Sequence, residues 1–150
     1  MLNQCCHCFE KCTDKLKDLP PLIFRAILVY GFYGPAKTKL ANIGAVAEWF
    51  GQIGIPLPTL NAYMAVTTEI SGVILLTLGL ATRLISIPMM FVMLVAIKTV
   101  HFKNGFSCGE NGFEVPFYYL CMLFYLMING PGRISVDHFM RGKWPCCKKN

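Results

Sequence analysis

The stretch Tyr63–Arg83, YMAVTTEISGVILLTLGLATR, decides how the rest of the chain is read. It holds about 20 residues of nearly unbroken apolar sequence, the length a helix rising about 1.5 Å per residue needs to cross a bilayer core. One carboxylate, Glu69, interrupts it. A lone acid near the midplane of a bilayer is costly, so it must face protein, water or a cationic partner.

Composition agrees with a membrane. The chain has 150 residues, of which 55% are hydrophobic and 15% charged, whereas a soluble domain carries about 25% charged residues. Mean hydropathy is +0.50. A disordered chain is excluded by the same composition. The net charge of +6 carries no nucleic-acid signature, because no Lys/Arg run is interleaved with aromatics. The N-terminus opens on cysteines and mixed charges, so no cleaved signal peptide is expected, and the first span would insert the chain.

Working outward from Glu69, four spans are predicted. The first covers Leu19–Pro35, opens on Pro20-Pro21 and carries Arg25. Gly31 and Gly34 offer close helix approach, or a break at Pro35. Residues Ala36–Pro58 are too mixed to cross. Within them Asn42–Gly51, with Trp49, reads as an amphipathic helix on the membrane surface, and Gly54–Pro58 as a stiff turn. The second span is Thr59–Leu80, with Gly72 and Gly79 near the face of Glu69. The third is Leu84–Val100, with Pro88 in its first turns. The fourth is Val115–Ile128, followed by the turn Asn129–Gly132.

The predicted fold is therefore all-α: an integral membrane four-helix bundle with an interfacial amphipathic helix between the first and second spans. Residues 1–18 form a Cys-rich N-terminal tail, 19–139 the membrane domain and 140–150 a basic C-terminal tail. Four crossings put both tails on one side. That side carries nine of the basic residues (Lys11, Lys15, Lys17, Arg83, Arg133, Arg141, Lys143, Lys148 and Lys149) against four on the other (Lys37, Lys39, Lys98 and Lys103). The excess places the tails in the cytoplasm.

Depth counting puts Glu69 about 15 Å and Arg25 about 9 Å into the membrane. The difference is within reach of an extended Arg side chain, so Arg25 is the predicted partner of Glu69. Such a pair either pins two helices or lines a cavity for a polar head group or a proton path. Lys37, Lys98, His101 and Glu114 gather near the outer side. There His101 is either a proton relay or an ordinary interfacial histidine. With Arg83, which ends the second span, these complete the candidate buried polar site.

On the fourth span Tyr118, Cys121 and Tyr125 fall at i, i+3 and i+7. They make a semi-polar stripe that would contact a quinone ring or simply pack against a helix. Cys5, Cys8 and Cys12, with His7 among them, have helical spacing and ligand types that suit zinc or Cu(I), although no standard zinc signature is present. Reduced or palmitoylated cytoplasmic thiols are the alternative. Cys108 has no evident partner in the outer loop.

These residues resemble the DoxX family of small four-helix membrane proteins. The first span reads Arg25-x4-Tyr30-x3-Gly34-x2-Lys37, similar to that family's pattern, with Tyr30 where Phe is usual. The second reads Glu69-x2-Gly72-x2-Leu75-x3-Gly79-x2-Thr82-Arg83. His101, Gly112-Phe113-Glu114 and Gly130-Pro131-Gly132-Arg133-x-Ser135-x-Asp137 complete the resemblance, which covers Leu22–Phe139. The later pieces look like the branch found beside copper-responsive, peptide-modifying operons.

The resemblance implies a bacterial inner-membrane protein, with some members tied to quinone-linked sulfur oxidation or to thiol and oxidative-stress defence. The leading expectation is a membrane subunit of a quinone- or thiol-linked redox system, working beside a protein encoded nearby and not a complete enzyme alone. The alternatives are a non-enzymatic membrane partner in metal or modified-peptide handling, and a structural subunit.

Overall fold

The computed structural model describes residues 16–141, with side chains through Met140. Four long helices form the bundle: α1 (Leu19–Ala41), α3 (Pro58–Leu78), α4 (Thr82–Ala96) and α5 (Glu114–Asn129). Two shorter helices, α2 (Ile43–Gln52) and α6 (Val136–Arg141), complete it. The π-turn Ile97–His101 and the short 3-10 turn Phe102–Asn104 prolong α4. Helix α1 packs chiefly on α3, α3 on α4, and α4 on α5, while α5 touches α1 and closes the ring.

Each long helix is set by one buried stripe at helical spacing. On α1 it is Pro21, Arg25, Leu28, Phe32 and Ala36. On α3 it is Ala62, Val66, Glu69, Gly72 and Leu76, and on α4 it is Thr82, Ser86, Met89 and Met93. Such i, i+3, i+4, i+7 recurrence leaves the opposite faces outside the core. Glu69 therefore stands within the core stripe of α3, between Val66 and Gly72. The apolar centre is Leu28, Phe32, Leu76, Met89, Met93, Leu123 and Leu126.

Small residues bring the helices together. A Cβ at Gly72 would fall 2.5 Å from the Met89 sulfur, and one at Gly31 would fall 2.1 Å from the Tyr119 hydroxyl oxygen. Gly34 has open space beside it, so of the two glycines expected in close helix contacts on α1, only Gly31 makes one.

Two boundaries differ from the sequence expectation. Helix α1 runs through Pro35 to Ala41 rather than ending there. Pro35 is exposed and lines a cavity, whereas Ala36 next to it continues the buried stripe. Tertiary burial therefore outweighs the single backbone hydrogen bond that the proline removes. The helix expected over Leu84–Val100 begins at Thr82, two residues earlier, and its last turn is π rather than α. The expected surface helix is present as α2. Asn42 Oδ1 accepts from Ala45 N at 3.3 Å to cap it, and only Phe50 is buried.

The outer faces carry large exposed apolar side chains, among them Ile23, Ile27 and Tyr30 on α1, Leu84 and Phe91 on α4, and Phe124 and Ile128 on α5. Arg25, Glu69, Thr82 and Ser86 are buried inside. An apolar exterior over a polar-dotted interior suits lipid rather than water as the surrounding solvent. Pro58–Leu78 and Thr82–Asn104 are each long and apolar enough to cross a bilayer, and Glu114–Asn129 is apolar but shorter.

Candidate functional site: a clasp at one end, a cavity at the other

The buried polar residues divide into two groups at opposite ends of the bundle. At the end where α1 begins and α3 finishes, Arg25 is 4% exposed. Its Nε donates to Leu76 O at 2.7 Å and its Nη2 to Thr77 O at 2.8 Å. Its Nη1 donates to Ile134 O at 2.7 Å and to Pro131 O at 3.3 Å. One guanidinium thus satisfies carbonyls at the C-terminus of α3 and in the segment leading to α6, where a cation also complements the helix dipole.

Asp137 completes this clasp. Its carboxylate accepts from Ala81 N at 2.9 Å and Thr82 N at 3.2 Å, supplying the N-terminus of α4, and its own N–H donates to Gly79 O at 3.1 Å. Gly79 ends α3 in the left-handed conformation, φ +65°, and a Cβ there would lie 2.7 Å from Arg25 Nη2. No other residue type fits both the dihedral and the space. Asp18 accepts from Arg133 N at 3.0 Å and ties the start of α1 to the same loop. Arg83 is exposed, with its guanidinium against Gly130.

The expected Arg25–Glu69 pair is therefore not formed, and helix geometry explains why. Side chains lean towards the N-terminus of their own helix. Helices α1 and α3 are antiparallel, so Arg25 and Glu69 lean away from each other. Glu69 is seven residues before Leu76, about 10 Å further along the bundle than the carbonyls Arg25 binds. The same tilt brings Lys39, near the end of α1, back down onto Glu69. Lys39 Nζ donates to Glu69 Oε1 in a salt bridge, with Glu69 1% exposed.

That pair is among the residues lining a cavity of about 900 Å³ in the part of the bundle away from the clasp. Phe32, Trp49, Phe91 and Tyr119 contribute aromatic walls, Met64 and Met93 polarizable ones, and Lys98 and His101 also line it. His101 Nδ1 lies 2.8 Å from Asn111 O. A carbonyl only accepts, so Nδ1 carries the hydrogen.

The other predicted site residues fall elsewhere. Lys37 is exposed and does not line the cavity, because it sits about 140° around α1 from Phe32 whereas Lys39 shares its face. Glu114 accepts from Cys108 N and Tyr118 OH, both at 3.0 Å, and so pins the loop before α5 rather than joining Lys98 and His101. Tyr118 and Cys121 are exposed on the outer face, and Tyr125 packs edge-on against Phe24 with centroids 5.1 Å apart. The residues of α5 that line the cavity are Val115, Pro116 and Tyr119, the last of them four and seven positions before the buried Leu123 and Leu126.

Among the described residues no group of three or more His, Cys, Asp or Glu could hold a metal ion. Cys5, His7, Cys8 and Cys12 lie outside the described residues, as do Cys146 and Cys147. Cys108 is free and exposed.

Fold and site together define a helical membrane protein with a polar-floored cavity between its helices. The DoxX family model matches residues 21–102, and the chain belongs to that family. A Bacillus subtilis protein named "Putative oxidoreductase CatD" is 29% identical over 133 residues, covering 87% of this chain and 94% of that protein. The Escherichia coli "Inner membrane protein YphA" is 29% identical, covering 73% and 79% respectively. A Haemophilus influenzae protein whose name states no function is 26% identical, covering 83% and 85%. No solved structure matches the chain.

Proposed function

We propose that this protein binds a membrane-soluble redox ligand of the quinone class in the cavity and serves as a membrane subunit of a redox system. The observation that carries the reading is the Lys39–Glu69 pair, its carboxylate buried, in the lining of a large cavity with aromatic walls. A volume of about 900 Å³ suits a ring with part of its tail. A buried ion pair that served only to join two helices would need no cavity beside it. In this reading Glu69 and Lys39 hold the polar head, aromatic side chains flank the ring, and His101 with Lys98 exchanges protons and charge at the mouth. The name of the Bacillus subtilis relative points to the same class of chemistry.

Solvent extraction of the protein purified in mild detergent tests this. Quinone should be recovered at close to one per chain, well above its share of the co-extracted lipid, and should fall on Ala65→Phe, which narrows the cavity. Folded protein that carries quinone only in proportion to lipid contradicts the reading.

In this reading the protein sits in the bacterial inner membrane with four crossings and both tails in the cytoplasm, and the cavity lies in the periplasmic half of the bundle. The nine-to-four distribution of basic residues supports this orientation. A C-terminal green fluorescent protein fusion should fluoresce and a C-terminal alkaline phosphatase fusion should be inactive. The reverse pattern rejects the orientation.

A further inference from the structure

We infer that the outward face of α1 is the interface of a homodimer, in which Tyr30 of each copy seats in a groove beside Tyr30 of the other. Tyr30, Ala26 and Thr77, which form this face, line no part of the cavity. Helix α1 crosses the bilayer in this reading beside α3, the apolar helix on which it chiefly packs.

Tyr30 is 87% exposed, the highest value among the large apolar and aromatic side chains described. It stands at the middle of α1, about 16 Å from either end. Tyrosine in a membrane protein is enriched at the membrane–water interface, where its hydroxyl reaches water. At the middle of a crossing helix, turned away from the bundle, the hydroxyl meets hydrocarbon, and among the described residues nothing accepts its hydrogen. A hydroxyl left unsatisfied in hydrocarbon is costly. The position therefore calls for protein on the outer face of α1.

The same side of the bundle offers a seat for the ring. A groove of about 450 Å³ lies between α1 and α3, lined from Leu22 to Tyr33 on α1 and by Leu76 and Thr77 on α3. Tyr30 forms part of its rim. Knob and groove thus lie side by side at one depth, as a two-fold axis along the membrane normal requires of a self-complementary surface. Side chains lean towards the N-terminus of their helix, so Tyr30 points from its own level towards that of Arg25. At that level Thr77, whose carbonyl Arg25 binds, brings a hydroxyl to the groove. Thr77 Oγ1 donates to Val73 O at 2.6 Å and keeps lone pairs for a donor. The Tyr30 O–H of the second copy is that donor. Gly34, one turn from Tyr30 and with open space beside it, lets the two α1 helices close on each other.

A lipid chain fits the apolar part of the groove, but at this depth it brings neither an acceptor for Tyr30 nor a donor for Thr77. A second copy supplies both, and does so twice by symmetry.

The test uses full-length protein carrying a donor or an acceptor dye at the C-terminus, in liposomes of phosphatidylethanolamine and phosphatidylglycerol. Energy transfer should follow a monomer–dimer equilibrium as protein is diluted in lipid. Tyr30→Phe, which removes only the hydroxyls, should raise the dimer dissociation constant about tenfold. Ala26→Phe, which fills the groove, should raise it further. Both positions are exposed, so unfolding of both variants in detergent should match wild type. p-Benzoylphenylalanine at position 30 should crosslink to a second copy within Leu22–Tyr33 or at Leu76 and Thr77, and should either variant fail to fold, this crosslink decides alone. Energy transfer no greater than that of randomly mixed monomers, a dimer that both folded variants leave intact, or crosslinks to lipid alone overturns the inference.

Discussion

Arg25→Ala is expected to destabilise the bundle by about 3–5 kcal/mol, more than any other single substitution at the clasp. The change strands carbonyls of Leu76, Thr77, Pro131 and Ile134 that one guanidinium satisfies. Hydrogen bonds from a charged donor contribute about 1.5–3 kcal/mol each, and the total is below their sum because neighbouring backbone relaxes and water reaches the helix end. Arg25→Lys should recover only part of the loss, since an ammonium lacks the planar fork that spans two chain segments. Thermal unfolding in detergent measures the effect, and a loss below about 1 kcal/mol on Arg25→Ala would show that the clasp is ornamental. Ligand binding by the fraction still folded should be unchanged, because the clasp lies at the end of the bundle away from the cavity.

Lys39→Ala has a comparable expected effect for a different reason. It leaves the Glu69 carboxylate buried without a countercharge, which costs about 3–5 kcal/mol. Adding Glu69→Gln to Lys39→Ala should restore much of the stability, because the orphan charge leaves with it. The restored protein should still bind ligand poorly, since the charged pair that lines the cavity is gone. Lys37→Ala, two residues away on an exposed face, should change stability by no more than about 0.5 kcal/mol. Unfolding and quinone titration on the same preparations separate the two effects. Recovery of both stability and binding in the double variant would make the pair purely structural.

The architecture was legible because it rests on long apolar runs whose length matches a bilayer. The Glu69 stretch, the surface helix carrying Trp49 and the segment after Gly112 all lie close to their expected places. Position along the chain was a weaker guide to which polar side chains meet. Counting residues placed Arg25 within reach of Glu69, but counting gives the depth of the Cα atoms and omits the tilt of side chains towards each helix N-terminus.

That tilt reassigns Glu69 to Lys39. The signal for Lys39 was present in its spacing of seven from Phe32 and fourteen from Arg25, on the core face of α1. It was hidden by the assumption that Pro35 ends the helix, and Lys37 carried the family pattern instead. Tyr119 was hidden in a similar way, by reading the stripe of α5 one residue out of phase. The role of Asp137 could not be read locally, because the N–H groups it receives belong to Ala81 and Thr82, more than fifty residues earlier. The π-turn at Ile97–His101, which helps set His101 at the cavity, has no compositional mark in the sequence.

Two double-mutant cycles run side by side test the division into clasp and cavity most directly. One pairs Lys39→Ala with Glu69→Gln, the other Arg25→Ala with Glu69→Gln, and each is read by unfolding in the same detergent. The first should show coupling of about 2–3 kcal/mol, and the second should be additive within about 0.5 kcal/mol. Strong coupling of Glu69 to Arg25, with none to Lys39, would contradict the account.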